Sequence, residues 1–369
     1  MVIYILLFVC LLLIIFSLLY PIWINYKGRN EEIPYFENEI KDGITIIYLS
    51  YNGFQYLNQK LTQLLFEIQE FNQSEIIIID DGSCDETPNF LKNFHHPKVK
   101  IILKEIQKGI PNSMNEAVKM AQFPYIVFCD QRQTISTGAI KKIVTPLNNQ
   151  EIGAVSSILS AQDKKGKYSI IRIIENFIKS KESRLGKLIG VYGPLYAIKK
   201  DCYHTIPEDI ILDDLYVSLQ ILKTKKIILQ QEAIIVDENC NQLYNYQRIK
   251  RYLTGLFQII TQQNLISKLP LKEKWMLLWH KYFKLLIPIS LFIVNVSLGV
   301  LALHDFSFLV LFIFINLLGV TSIVLSIFKL HSKYQSLLCI NILYIIALLD
   351  IICQKIAYTT QSFFKFHEK

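Results

Sequence analysis

The segment Ile76-Ile77-Ile78-Ile79-Asp80-Asp81-Gly82-Ser83 runs four β-branched apolar residues straight into two adjacent carboxylates. An unbroken apolar run this short reads as a strand covered on both faces, hence a parallel sheet with helices on either side. In open α/β sheets ligands bind beyond the carboxyl ends of the strands, which is where Asp80 and Asp81 emerge. Two neighbouring carboxylates there call for compensation by a cation, a hydrogen-bonding base or a network of donors. The plainer alternative is a helix cap, with Ser83 or Asp85 opening a helix that begins near Glu86. Capping accounts for Ser83 and Asp85. It does not account for Asp80 and Asp81.

Around this strand the pattern repeats. Ile44 to Leu49 reads as a first strand that ends in the polar loop Ser50-Tyr51-Asn52-Gly53, and Leu57 to Phe71 has helical spacing of Leu, Phe and Ile. A helix from Glu86 to Phe94, a strand over Val99 to Leu103, a helix over Ile110 to Ala121 and a strand over Tyr125 to Cys129 follow. Strands alternating with helices at these intervals predict βαβ units and a doubly wound sheet with right-handed crossovers. Polar chemistry follows successive strands: Asn52 after the first, Asp80 and Asp81 after the second, Asp130 and Arg132 after the fourth. These residues belong at one sheet edge and can converge on one crevice. There is no GxGxxG and no GxxxxGK[ST], so a dinucleotide fold or a P-loop NTPase has no support.

The 369 residues are 51% hydrophobic with mean hydropathy +0.30, too apolar for an ordinary soluble protein. Residues 1–26 carry no charged side chain and are long enough to cross a hydrocarbon core of about 30 Å. Without a basic start or a small-residue cleavage site they read as a retained anchor. Three more apolar stretches, Tyr282–Leu303, Phe306–Phe328 and Tyr334–Cys353, are expected to span as well. The expected organisation is an anchor (1–26), a globular domain (27–245), an amphipathic interface region (246–281), membrane helices (282–355) and a polar tail (356–369).

Lys27 and Arg29 after the first span, and the many basic residues of the globular block, place that block in the cytoplasm. The formal net charge of +8 does not imply nucleic acid, because much of it lies between Tyr246 and Lys284, where it would meet anionic headgroups of the lipid bilayer. The seven cysteines show no metal-ligand spacing and read as reduced core residues. His95-His96, followed by Pro97, reads as surface turn.

At this point the residues resemble the family-2 glycosyltransferases, membrane-bound enzymes related to the cellulose and hyaluronan synthases. Asp80-Asp81-Gly82-Ser83-Cys84-Asp85-Glu86-Thr87 is similar to the DDGSxDxT signature, and the strand ending in Tyr51-Asn52 to the opening "YN" loop. Gly109 to Ala117 resembles a "GKxxALNxA" helix start with Ile110 in place of lysine, a charge that Lys108 could supply. Asp130-Gln131-Arg132-Gln133 resembles the "DARQ" form of the DxD motif. Glu175, Lys179, Glu182 and Ser183, with Gly193-Pro194-Leu195-Tyr196-Ala197-Ile198, resemble a "GAxYAIRR" region. Ile211-Leu212-Asp213-Asp214-Leu215 resembles "ILDDF", the counterpart of the TED motif. Arg248 to Gly255 resembles "RKxRxxxG", and Trp279-His280-Lys281 the "SHK" membrane entry.

The resemblance implies a GT-A fold, that is, a doubly wound mixed sheet, with one helix before and about three after it in the membrane. It implies inverting transfer of a sugar from a nucleotide-sugar donor, a UDP-sugar, to a polysaccharide or lipid-linked acceptor. Asn52, Asp80, Asp81, Asp130 and Arg132 would bind the donor, Asp80 and Asp81 at its ribose and base. Asp214, with Asp213 beside it, would be the base on the acceptor hydroxyl. Asp213 is also a candidate N-cap. Arg248 and Arg251 would meet the diphosphate or acceptor, on a segment that also reads as an amphipathic helix lying on the membrane.

A divalent cation, Mg²⁺ or Mn²⁺, would sit on Asp130. Arg132 stands at the second acidic position of DxD and could itself pair with the diphosphate. QxxRW would require Arg at 250 and Trp at 251, where the chain has Lys250 and Arg251, so the motif linked with processive extension is not intact. The competing reading is a catalytically inactive relative that binds nucleotide as a membrane scaffold.

Overall fold

The computed structural model describes residues 2–29, 31, 42–162, 166, 168–237, 246–327, 345–346 and 350–351. It divides into two compact units: Ile24–Cys240 with Ile259–Lys274, and Met1–Trp23 with Asn241–Gln258 and Trp275–Lys369.

The first unit is built on an eight-stranded sheet. In chain order its elements are β1 (Ile44–Ser50), α2 (Phe54–Glu67), β2 (Ser74–Asp80), α3 (Thr87–Asn93), β3 (Val99–Leu103), α4 (Ile110–Met120), β4 (Tyr125–Cys129), β5 (Thr134–Ile135), α5 (Ala139–Val144), β6 (Ile152–Leu159), α6 (Ile170–Arg184), β7 (Leu195–Lys199), α7 (Asp213–Ile221) and β8 (Lys226–Val236). The spatial order is β3-β2-β1-β4-β7-β6-β8-β5. Strands β1 to β4 are mutually parallel, whereas β7 runs antiparallel to both β4 and β6. The sheet is therefore mixed, as the resemblance implies, rather than wholly parallel as the isoleucine run alone suggests.

Every residue of β2 is buried. Ile76 and Ile78 face a core shared with Leu57, Leu61 and Leu64 of α2 and with Ile140 and Ile143 of α5. Ile77 and Ile79 point to the opposite face, where α4 covers β1 and β2. Each such isoleucine contributes roughly 2 kcal/mol by leaving water. Strands β3 and β4 have the limits read from sequence. Helix α2 begins three residues early, at Phe54, because the chain turns at once after β1 and Tyr56 N already donates to Gly53 O at 2.9 Å.

In the second unit, α1 (Val2–Lys27) packs its Phe16 against Trp279, ring centroids 4.7 Å apart and nearly parallel. Trp279 Nε1 also donates to Phe16 O at 2.8 Å. Trp279 lies in a π-helical turn, Leu278–Phe283, that follows the short helices α9 (Gln263–Ser267) and α10 (Leu271–Leu277) in the chain and leads into α11 (Lys284–Ala302) and then α12 (Phe306–Ile327). Helix α8 (Tyr246–Thr261) starts in this unit, and its Lys250 pairs with Asp350 at 2.6 Å.

Four spans are predicted, but among the described residues two helices are long and apolar enough to cross a membrane, Val2–Lys27 and Leu285–Ala302. Helix α12 qualifies over Phe306–Leu317 only as a shorter apolar helix. The predicted span Tyr334–Cys353 lies almost wholly outside the described residues.

Candidate active site

The end of β2 is joined to the end of β1 by hydrogen bonds that neither strand makes internally. Asp81 N donates to Ser50 O at 2.9 Å, one step beyond the ladder. Asp80 is fully buried, and both its oxygens accept from Ser83, Oδ1 from the hydroxyl and Oδ2 from the amide. Burial pushes the Asp80 carboxyl up; the Ser83 hydrogen bonds pull it down, and Asp85 and Asp81 push it up again. Ser83 Oγ in turn accepts from Asn52 N at 2.8 Å, while Asn52 Oδ1 accepts from Cys84 N at 2.8 Å. Asn52 holds a left-handed φ of +47°, a conformation that Asn tolerates better than most residues.

The predicted caps work differently from expectation. Helix α3 begins at Thr87 with Glu86 as its N-cap and no side-chain cap bond. Asp85 accepts from Thr87 N and from Phe54 N, each at 3.0 Å, so it ties the starts of α3 and α2 together. Ser83 braces Asp80 and caps nothing. Cys84, expected in the core, is exposed, whereas Cys10, Cys129 and Cys202 are buried.

Asp81 faces inward and is surrounded by donors. Oδ1 accepts from Lys104 Nζ at 3.2 Å, Ser113 Oγ at 3.0 Å and Lys108 N at 3.2 Å, and Oδ2 accepts from Gly109 N at 2.7 Å. It thereby fixes the loop between β3 and α4. Gly82, at φ +77°, makes the approach possible, since a β-carbon there would lie 2.7 Å from Gln107 N. Lys104 is the residue sequence reasoning passed over. Its only signal was a cation directly after β3, at the same sheet edge as Asp81. Lys108 contributes its amide here and leaves its side chain exposed, as does Ile110.

Asp130 emerges from β4 exposed, with its amide donating to Pro194 O at 2.9 Å. Gln131 reaches back to the Asn52 loop, exchanging hydrogen bonds with both backbone groups of Tyr51 at 3.3 and 3.2 Å. Arg132 follows, half-buried. A polar stripe on α2 then holds the next residues: Lys60 Nζ donates to Gln133 O, Gln63 Nε2 to Ile135 O at 2.6 Å, and Glu67 accepts from Gly138 N and Ile140 N at 2.8 and 3.2 Å.

Asp213 and Asp214 occupy the first turn of α7, where carboxylates suit the helix dipole. The N-cap is Leu212, so Asp213 is not the cap that its position suggested. Asp214 Oδ1 accepts from Leu215 N at 2.7 Å. Its backbone carbonyl accepts from Ser218 Oγ at 2.6 Å, and that hydroxyl accepts from Val191 N at 3.1 Å. The loop 188–193 is pinned from α6: Lys179 Nζ donates to Gly190 O at 2.7 Å and Glu182 accepts from Ile189 N at 3.0 Å.

The two groups of carboxylates meet at the loop that enters β7, where Asp130 N donates to Pro194 O at 2.9 Å and a β-carbon on Gly193 would lie 3.1 Å from Asp214 Oδ2. Tyr196, on β7, is buried, and after burial itself the charges of Asp213, Asp214 and Asp130 push its phenol well above the ordinary value. On the other face the Tyr48 phenol is raised by burial, then by Cys129, with Asp130 and Asp80 also contributing. Asn52, Asp80, Asp81, Asp130, Asp213 and Asp214 thus line one sheet edge. Arg248 and Arg251 are exposed on α8, in the part of that helix that belongs to the second unit.

This is the region in which the chain matches a known family. Residues 45–203 match the model of Glycosyl transferase family 2. The chain carries a family 2 glycosyltransferase domain.

Among curated relatives, the poly-β-1,6-N-acetyl-D-glucosamine synthase of Staphylococcus epidermidis is 26% identical over 228 residues, covering 55% of each chain. The synthase of the same name from Staphylococcus aureus strain COL is 24% identical over 229 residues, again 55% of each. The chain therefore spans about half the length of these relatives. Among solved structures, the mannosyltransferase PcManGT from Pyrobaculum calidifontis, in complex with GDP-Man and Mn²⁺, aligns with a TM-score of 0.75 at 17% identity. That alignment covers 95% of this chain and 99% of the other, and it shows the shared fold.

Within the glycosyltransferase domain, no group of three or more His, Cys, Asp or Glu side chains among the described residues is placed to hold a metal ion. Asp130 is the exposed carboxylate at the strand end where a hard cation would find an oxygen ligand. It could serve as one such ligand, with the remaining positions left to phosphate and water.

Proposed function

We propose that this protein is a membrane-bound inverting glycosyltransferase that moves a sugar from a UDP-sugar to a polysaccharide or lipid-linked acceptor. The observation that carries the reading is the loop entering β7, where Asp130 N donates to Pro194 O at 2.9 Å and a β-carbon on the preceding Gly193 would lie 3.1 Å from Asp214 Oδ2. It sets a carboxylate from the donor side beside two from the start of α7.

In this reading Asp214 takes the proton of the acceptor hydroxyl as that oxygen attacks the anomeric carbon. The bond from the anomeric carbon to the diphosphate breaks, and the nucleoside diphosphate leaves from the opposite face, which inverts the centre. Asn52, Asp80 and Asp81 shape the corner for ribose and base. Arg132 supplies a cationic donor for the diphosphate. A bound Mg²⁺ or Mn²⁺ on Asp130 would supply further neutralisation of the leaving group.

The names of the Staphylococcus relatives favour an N-acetylhexosamine donor and a glycan acceptor. The apolar helices α1 and α11, with Lys27 and Arg29 after the first, favour a multi-pass chain with its catalytic domain in the cytoplasm.

The test is turnover of a panel of UDP-sugars by the full chain in detergent, with and without EDTA. UDP release from one donor, lost in Asp214→Asn while UDP still binds, is the expected result. A protein that neither binds UDP nor turns over any sugar nucleotide overturns the reading, and one that binds UDP without transfer would be a scaffold.

A further inference from the structure

Tyr196 sits on β7 opposite Phe128 of β4, with the two rings stacked at 4.9 Å between centroids and 27° between planes. It is 2% exposed, and its hydroxyl has no hydrogen-bond partner among the described residues. Native interiors rarely leave a buried hydroxyl unpartnered, and such groups call for an explanation. Packing does not provide one, because phenylalanine would fill the same space and keep the same stack.

Two carboxylate-bearing segments lie against the loop that enters β7 just before Tyr196. Asp130 N donates to Pro194 O at 2.9 Å, and a β-carbon on Gly193 would lie 3.1 Å from Asp214 Oδ2, with Asp213 adjacent on α7. The titratable groups around the phenol are Asp213, Asp214, Asp130 and Tyr203. Tyr203 has its own partner, donating to Asn115 Oδ1 at 2.8 Å. The remaining three are carboxylates, which when ionised can only accept. A phenol held protonated among acceptors has one use, to donate. Hydrogen bonds of this kind are often long before substrate binds and tighten in the reacting complex.

We propose that Tyr196 is a positioning residue for the Asp213-Asp214 pair, its O–H donating to that pair once the donor and acceptor sugars occupy the site. The bond holds the pair in place and ionised while Asp214 takes the acceptor proton. Tyr196 keeps its own proton throughout. This rests on the assignment of Asp214 as base made above.

The test is the pH dependence of kcat/KM for UDP release by the full chain in detergent, comparing wild type with Tyr196→Phe, and UDP affinity measured in parallel. Losing one charge-assisted donor raises the pKa of the base, so the acid limb should move up by about one pH unit, with activity below it falling about ten-fold. UDP affinity should not change. An unchanged acid limb with normal kcat overturns the proposal. Loss of UDP binding in Tyr196→Phe also overturns it, because the hydroxyl would then be holding the fold. Asp214→Asn separates the two ideas: if that variant keeps its turnover, the base assignment fails first. If it is inactive while Tyr196→Phe behaves as wild type, the positioning role alone fails.

Discussion

A β-carbon added at Gly193 would lie 3.1 Å from Oδ2 of Asp214. That is closer than neighbouring side chains normally approach, so the glycine is what lets the loop after α6 run alongside the carboxylate. Gly193→Ala should displace the Asp214 carboxylate by a few tenths of an ångström. A displacement of that size is expected to lower kcat roughly ten-fold. Steady-state kinetics should show this fall with UDP affinity intact; unchanged kcat would mean that the loop yields instead.

Asp81 and Lys104 form an ion pair whose side chains are 8% and 7% exposed. Removing one partner of a buried pair costs about 3–5 kcal/mol. Lys104→Met should fall near the lower end, because Ser113 and two backbone amides still serve Asp81. The expected loss in Tm is roughly 6–12 °C in a thermal melt. A melt within a degree of wild type would show that the amides suffice alone.

Glu75, on β2, forms an ion pair with Lys100 Nζ at 2.7 Å, and its Oε1 accepts from Gln122 N at 2.6 Å and Thr45 Oγ1 at 2.8 Å. Burial pushes its carboxyl up, but these partners outweigh burial and hold it below the ordinary value of 4.5. A depressed folded value means that the group contributes stability above about pH 4.5 and loses it as pH falls through the folded value. Glu75→Gln should therefore melt earlier than wild type at pH 7. Lys100 is partly exposed, so solvent screening limits the gap to about 1 kcal/mol. The gap should close as the buffer is taken below pH 4.5; a gap independent of pH would contradict the linkage.

Lys60 is buried on α2 and donates to Gln133 O. Lys60→Met would leave that carbonyl unsatisfied at a cost of about 1–3 kcal/mol and loosen the turn that carries Asp130 and Arg132. A lower Tm together with a lower kcat is expected, read from melts and initial rates on the same preparation. A lower Tm with unchanged kcat would mean that the turn is held by Gln131 alone.

The sheet edge formed by β1 to β4 was legible because each part of it is local. Strands β3 and β4 are short apolar runs bounded by prolines or charges, and Asn52, Asp80, Asp81 and Asp130 follow strands directly. Asp213 and Asp214 were found through a family motif rather than through any pattern of their own. Strand β7 was not legible in its direction, since Leu195–Lys199 has the same apolar content whichever way it runs. The work of Lys104 and Tyr196 was missed for a related reason: it arises from sheet register, Phe128 against Tyr196 and β3 beside β2, and register is not written in either segment by itself. The polar stripe Lys60, Gln63 and Glu67 on α2 holds residues about seventy positions away, a pairing that the spacing within α2 does not carry.

Because β7 runs against β4, the loop arriving at it, not the one leaving it, meets the edge where β1, β2 and β4 end. The two halves of the site are therefore stitched at the bond from Asp130 N to Pro194 O, and they draw on separate lengths of chain. In the function proposed above, residues 44–81 can stay constant, and with them what is delivered, while the stretch between β6 and Gly193 diverges. Change of acceptor can then arise by exchange of one cassette, so relatives of this chain should differ from one another more before Gly193 than before Gly82.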